Sequence, residues 1–198
     1  MTIGPLITLI VFVPGKKGLA FDLTVVAILQ ITALAFGVWV LFESRPVYFV
    51  FVKDRFELVR ANDIPEEELA KASRGPFARL PLAGPQLVGA KMPTDRAERE
   101  RIMFAGAAGV DLQLFPQHYV PYDDQKADAK ARGDSIAKLR KLNPGATQRI
   151  DRLIAEIGRR EEEIRFLPMR AGKIDLTVLI AADTGAVLRI ANLRPWEY

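Results

Sequence analysis

The stretch Leu179-Ile180-Ala181-Ala182-Asp183-Thr184-Gly185-Ala186 ends an apolar run on Asp-Thr-Gly, a loop that could present a catalytic carboxylate. Peptide hydrolysis by that route needs two such carboxylates sharing one proton. The chain has a single copy, only 13 residues follow Gly185, and Asp-x-Gly is a common hairpin turn. The motif reads as a turn. His118, the one histidine, has Asp123 and Asp124 close by in sequence, enough in principle for a metal site or an acid–base pair. A lone histidine between prolines is more often a surface or interface residue. Gly106-Ala107-Ala108-Gly109 lacks the Lys-Ser/Thr of a phosphate loop and does not follow a strand. No serine triad can be assembled from the loosely placed Ser73 and Ser135 with a single histidine. With no cysteine, thiol nucleophiles, disulfides and thiolate metal sites are excluded. The chain is expected to be no enzyme and to carry no cofactor.

What chemistry the chain does offer is organised by residues 21–42, FDLTVVAILQITALAFGVWVLF. As a helix this run is about 33 Å long, enough to cross a hydrocarbon core of about 30 Å. Its single ionisable side chain is Asp22 at the front edge, and its inner polar residues are Thr24, Gln30 and Thr32. Trp39 near the far end suits the membrane interface. A buried helix of a soluble protein would show a polar stripe, so the run is read as a transmembrane helix. Gln30 falls near mid-span, where an amide needs a hydrogen-bond partner on a neighbouring helix or on its own backbone. Ala33 and Gly37 form a small-xxx-small pair that lets a second helix approach closely. These three are the candidate contacts within the membrane, for a partner or for the chain's own first apolar run.

That first run, residues 3–13, is too short to span. Pro14-Gly15-Lys16-Lys17-Gly18 follows it as a polar break, and no cleavage site of the A-x-A kind accompanies it. It is either a re-entrant or interfacial arm, or the second half of a spanning helix that begins upstream of Met1. A helical hairpin across PGKKG satisfies the backbone on both sides and is the favoured reading. Lys16 and Lys17 in a short loop hold that loop in the cytoplasm and place the rest of the chain outside. Arg45, Lys53, Arg55 and Arg60 argue the other way by bare count.

Residues 44–198 form the second part, expected as a small α+β domain with one largely antiparallel sheet. Pro46–Val52 and Phe56–Arg60 are β-branched and aromatic and predict a hairpin. A short helix is expected over Glu66–Ala72, and a proline- and glycine-rich ordered loop, with room for a short extended piece, over Arg74–Pro93. Further helices are expected from Thr94 or Asp95 to Gly106 or Gly109, over Asp124–Arg132, from Asp134 as cap to Leu142, and over Thr147–Arg165. The last shows Ile150, Leu153, Ile154, Ile157 and Ile164 at helical spacing. Phe166–Arg170, Lys173–Ala182 and Ala186–Leu193 read as closing strands, with first and last strands of the domain as possible neighbours. The formal charge of +4 is spread along the chain, with no basic tract and interleaved aromatics, so nucleic acid is not an expected partner.

Three stretches resemble a known family: GPLITLIVFVPGKKGLAFDL at residues 4–23, WVLFESRPVYFVFVKDRFELVRAND at 39–63 and RLPLAGPQLVGAKMPTD at 79–95. They are similar to the type IV pilin accessory proteins of the TfpX/TfpZ family, well over residues 4–124 and more loosely beyond. The resemblance implies an inner-membrane protein with a periplasmic domain, which agrees with the orientation set by Lys16 and Lys17. It implies a chaperone-like role in stabilising a cognate type IV pilin and assisting pilus assembly and twitching motility. Pilin subunits wait with an apolar helix in lipid and a globular head outside, so a partner with both parts could hold both. Family members begin further upstream, which implies that the first membrane helix is truncated at this Met1. In the domain, Tyr48, Arg55, Pro85, His118 and Tyr119 are the candidate surface contacts or supports. The expected partners are a type IV pilin, the membrane and a second copy of the chain. An envelope sensory or scaffold module binding another ligand or machine component is the alternative reading.

Overall fold

Twenty-five residues of almost uniformly apolar character, Leu19–Glu43, form the first helix, α1, in a computed structural model that describes residues 18–197. No α1 side chain is buried, and apolar residues face outward all round it. A helix hydrophobic on every side gains nothing in water and belongs in a membrane or a protein core. The Thr24 hydroxyl donates to Ala20 O at 2.7 Å, so this polar group is satisfied within the helix. At the far end Ser44 Oγ donates to Val40 O at 2.8 Å, and the Arg45 guanidinium donates to Phe42 O while lying 3.9 Å above the Phe42 ring. The expected apolar run 3–13 and most of the PGKKG break lie outside the described residues.

The chain divides into two compact units between Arg45 and Pro46. The second is built on an eight-stranded sheet: β1 (Pro46–Val52), β2 (Arg55–Arg60), β3 (Gln86–Ala90), β4 (Tyr119–Pro121), β5 (Asp134–Ser135), β6 (Ile164–Ala171), β7 (Ile174–Ala181) and β8 (Val187–Ala191). Strand order is β4-β3-β1-β2-β6-β7-β8, with β5 on the free half of β6. The β1–β3 and β2–β6 pairs are parallel and the others antiparallel. The two ends of the domain sequence therefore meet through β2 and β6, while β1 and β8 lie apart. The helices are α2 (Glu66–Lys71), α3 (Arg96–Ala107), α4 (Lys126–Arg132), α5 (Ile136–Leu142) and α6 (Thr147–Ile157).

Alternation of side chains along the strands sorts the core into three parts. Tyr48, Val50 and Val52 of β1 and Val59 of β2 face α2, α3 and the proline-rich loop. Ile164 and Phe166 of β6 and Leu179 of β7 face α5 and α6. Phe51, Phe56, Leu167, Met169, Val178 and Ile180 share the opposite, concave face, where the helical cover is α4 through Ala129 with Tyr122 just before it. Each fully buried large side chain contributes about 2–3 kcal/mol of apolar burial.

Three expectations change. The piece Gln86–Ala90 inside the expected loop is a central strand, because its two partners on either side supply the pairing that local sequence does not advertise. Ser135, not Asp134, caps α5 by accepting from Lys138 N at 3.4 Å, since Asp134 is drawn into the pairing with Phe166. The last helix stops at Ile157 rather than Arg165, because Gly158 adopts φ 70° and its N–H turns back to Ile154 O and Ala155 O. Ile164 then starts β6. A Cβ at Gly158 would meet no atom within 4 Å, so Gly158→Ala costs only the left-handed conformation, about 1 kcal/mol, readable in chemical denaturation. A loss above about 2 kcal/mol would mean that Gly158 is packed against a neighbour and does not end the helix in open space.

Candidate functional site

On α1, Gln30, Ala33 and Gly37 sit at spacings of three and four residues, on one side of the helix. All three are exposed, and a Cβ built on Gly37 has open space around it. Ala33 and Gly37 are small beside exposed neighbours such as Leu34 and Val38. Such a face admits another helix at short range.

In the domain, a polar cluster joins three segments that are far apart in sequence. The carboxylate of Glu68, on α2, receives both Nη atoms of Arg101 on α3, at 2.8 and 3.1 Å. Lys71 Nζ donates to it at 2.8 Å and Gln117 Nε2 at 2.6 Å. Arg101 also donates to Glu98 through Nε (2.8 Å) and Nη2 (2.7 Å), and His118 Nε2 lies 3.0 Å from Glu98 Oε1. The guanidinium stands 5.0 Å from the Phe115 ring centroid. The Glu68 side chain is only 8% exposed. Burial by itself would raise its pKa, but the hydrogen bonds from Arg101, Lys71 and Gln117 outweigh that and hold it at about 2. Glu98 is likewise held at about 2, chiefly by the Arg101 hydrogen bonds. Arg101 is pushed up in turn by the two carboxylates. A carboxylate locked ionised on an arginine is a poor proton donor and a good structural clamp.

His118 thus meets Glu98 and not the neighbouring aspartates; Asp123 pairs with Lys126 at 2.7 Å. Among the described residues no group of three or more His, Asp or Glu is placed to hold a metal ion. Tyr48 is fully buried, its ring edge-on to Phe77 and Tyr119, with its hydroxyl donating to Arg79 O at 3.4 Å. Tyr119 is buried beside it and donates to Gln113 O. Desolvation raises the pKa of both phenols, which stay neutral donors. Burial makes these two tyrosines supports of the sheet, not surface contacts. Pro85 leads directly into β3, whose Gln86 sits beside Tyr48 in register. Arg55 stands at the tip of the β1–β2 hairpin, bound to Glu57 at 2.9 Å. Tyr48, His118 and Tyr119 therefore share one corner of the domain. Of Glu68, Glu98, Arg101 and Gln117, only the Glu98–Arg101 pair carries a local sequence signal, its i,i+3 spacing; Glu68 and Gln117 join it through the fold alone.

Asp183 lies in the β7–β8 turn, accepting from Thr184 N at 2.8 Å and Arg159 Nη1 at 3.2 Å. Gly185 N donates to Ala181 O, as a hairpin turn requires.

Two curated proteins of Dichelobacter nodosus match this chain. "Fimbrial assembly protein, serogroup I" is 27% identical over 169 residues, and "Fimbrial assembly protein, serogroup E1" is 26% identical over 169 residues. The chain is thus similar, at low identity, to proteins named for fimbrial assembly. Each match covers 84% of this chain and 65% of the relative, so the chain spans a little under two thirds of the length of the fimbrial assembly proteins it matches. No protein-family model matches it, and no solved structure matches it significantly. The helix Leu19–Glu43 is long and apolar enough to cross a membrane.

Proposed function

We propose that this protein is an inner-membrane accessory protein of type IV pilus assembly, of the TfpX/TfpZ kind. Anchored by α1, with its domain in the periplasm, it binds its cognate pilin and keeps the subunit ready for polymerisation. It works by binding, not by catalysis. The observation that carries this reading is the extent of the similarity to fimbrial assembly proteins, 84% of the chain, which takes in far more than an apolar anchor. The chemistry of the domain is in keeping with it: the strongest polar cluster is a carboxylate–guanidinium clamp with both acids held ionised.

In this reading the Gln30–Ala33–Gly37 stripe takes the apolar helix of the waiting pilin at short range. A photoreactive residue replacing Gln30, in cells expressing the native pilin, is expected to yield a pilin adduct identified by mass spectrometry. Bulk on the small-residue face should separate the helices, so adding Gly37→Leu is expected to lower the adduct yield about tenfold. An adduct confined to the protein itself, or to a protein outside the pilus system, would sink the direct-handling model. Removal of the gene is expected to lower pilin abundance or surface pili; unchanged amounts of both would remove the assembly role altogether.

A further inference from the structure

The concave face of the sheet is buried at one end and opens toward the other. On β1, Phe51 is buried and Phe49 only partly so; on β2, Phe56 is buried and Leu58 partly. On β7 the series runs from Ile180 and Val178, both buried, through Leu176, partly covered, to Ile174, 59% exposed. Leu87, in register with Phe49, continues that end onto β3 at 37% exposure, and Ile190, further in and opposite the buried Val178, stands 36% exposed on the edge strand β8. An apolar core that surfaces along three strands at the same end is a groove, not scattered exposure.

The two walls of that groove are strand edges. β8 ends the strand order, and its outer side has no strand partner among the described residues. On the far side of the curl, β4 pairs with β3 only from Val88 onward, leaving the outer side of Gln86 and Leu87 without a strand partner among the described residues. The sheet curls enough that Leu87 and Val187 line one cleft of about 400 Å³ with Pro121, Tyr122 and Lys126. Tyr122 closes its inner end by donating to Gly185 O at 2.7 Å. Unpaired backbone groups beside exposed apolar side chains are what an added strand satisfies, through main-chain hydrogen bonds and pockets for alternate side chains.

The geometry points to this open end as the docking site of a short extended segment of a partner, apolar at every second residue and acidic at its end. Alternation follows from the groove, which contacts one face of the incoming strand while the other face stays in water. The acidic end follows from the border: Lys173 directly precedes Ile174, and the Arg60 guanidinium reaches Gly172 in the same turn. The β8 edge is five residues long, about 17 Å, so pairing of two copies through it would fall well short of the roughly 1,200 Å² of a stable interface. A linear segment held transiently is the occupant of that size. The inference stands independently of whether the partner is a pilin.

The test uses the full chain in detergent micelles and a fluorescent heptapeptide of alternating valine and threonine with a glutamate at each end, followed by anisotropy and hydrogen exchange. Saturable binding is expected, with slowed exchange of the amides of residues 187–191. Binding should fall at least about tenfold with Ile190→Asp, with Lys173→Glu, and with a proline at the peptide's centre. The variants lie on exposed positions, and the proline peptide needs no altered protein. Absence of saturable binding to about 1 mM peptide, or binding indifferent to Ile190→Asp and to the central proline, overturns the inference. Concentration-dependent dimerisation that Ile190→Asp abolishes and the peptide does not compete with would assign the edge to a second copy and overturn it equally.

Discussion

Glu68→Ala is expected to destabilise the domain by about 3 kcal/mol. The side chain is nearly buried and receives four hydrogen bonds from three residues on three segments. Its removal strands the Gln117 amide, whose Oε1 is already buried without a partner among the described residues. Arg101 loses half of its carboxylate contacts but keeps Glu98, which limits the damage. For a domain of this size the loss corresponds to a fall in Tm of about 10 °C, readable by near-ultraviolet circular dichroism. Glu68→Gln keeps the shape and loses the charge, and it gives the pH test. Both Glu68 and Glu98 have folded pKa values near 2, below their usual 4.5. The unfolded chain binds more protons in that interval, so their stabilisation is full above about pH 5 and is lost as pH falls from there toward 2. In Glu68→Gln the acid-induced loss should be visibly shallower than in the unaltered protein. An identical acid transition in both would mean that the clamp is not formed in solution.

This clamp marks the boundary of what the sequence could disclose. Elements with a clear period were legible: α1 from its unbroken apolar run, β1 and β2 from their β-branched and aromatic content, α6 from Ile150, Leu153, Ile154 and Ile157 on one face. The β6–β7–β8 meander was legible because its connections are short. Pairing across long separations was not. β1 meets β3, and β2 meets β6, in parallel, and neither parallel pair is announced by a turn. Glu68 looked like the third of three acids at a helix N-terminus, where Glu66 and Glu67 remain exposed and serve the helix dipole. Only the fold brings Arg101 and Gln117 onto it. His118 was visible as a singular residue, but its partner on α3 could not be read from neighbours in sequence. At Ile164 helical periodicity misled, since a residue buried from a strand mimics the spacing of the preceding helix once Gly158 has ended it.

Gly185→Ala should be the more damaging of two chemically identical changes. Like Gly158, Gly185 has a positive φ, 71°, so alanine pays about 1 kcal/mol at either position for the left-handed conformation. At Gly185, however, an added Cβ would stand 2.3 Å from Lys126 O and 3.0 Å from Lys126 C, both backbone atoms at the start of α4. No rotamer change relieves that contact, so the β7–β8 turn and α4 must move apart. The movement would loosen the Tyr122–Gly185 hydrogen bond and the seat of Ala129, which together cover the concave core. Overpacking of this kind adds about 1–3 kcal/mol, for a total of about 3 kcal/mol against about 1 kcal/mol for Gly158→Ala. Chemical denaturation of the two variants side by side isolates the steric part, because the backbone part is common to both. Equal losses would refute the packing of the turn on α4. The extra loss in Gly185→Ala would show that the glycine of Asp-Thr-Gly serves the close approach of two backbones, a role a turn glycine fills and a catalytic loop does not explain.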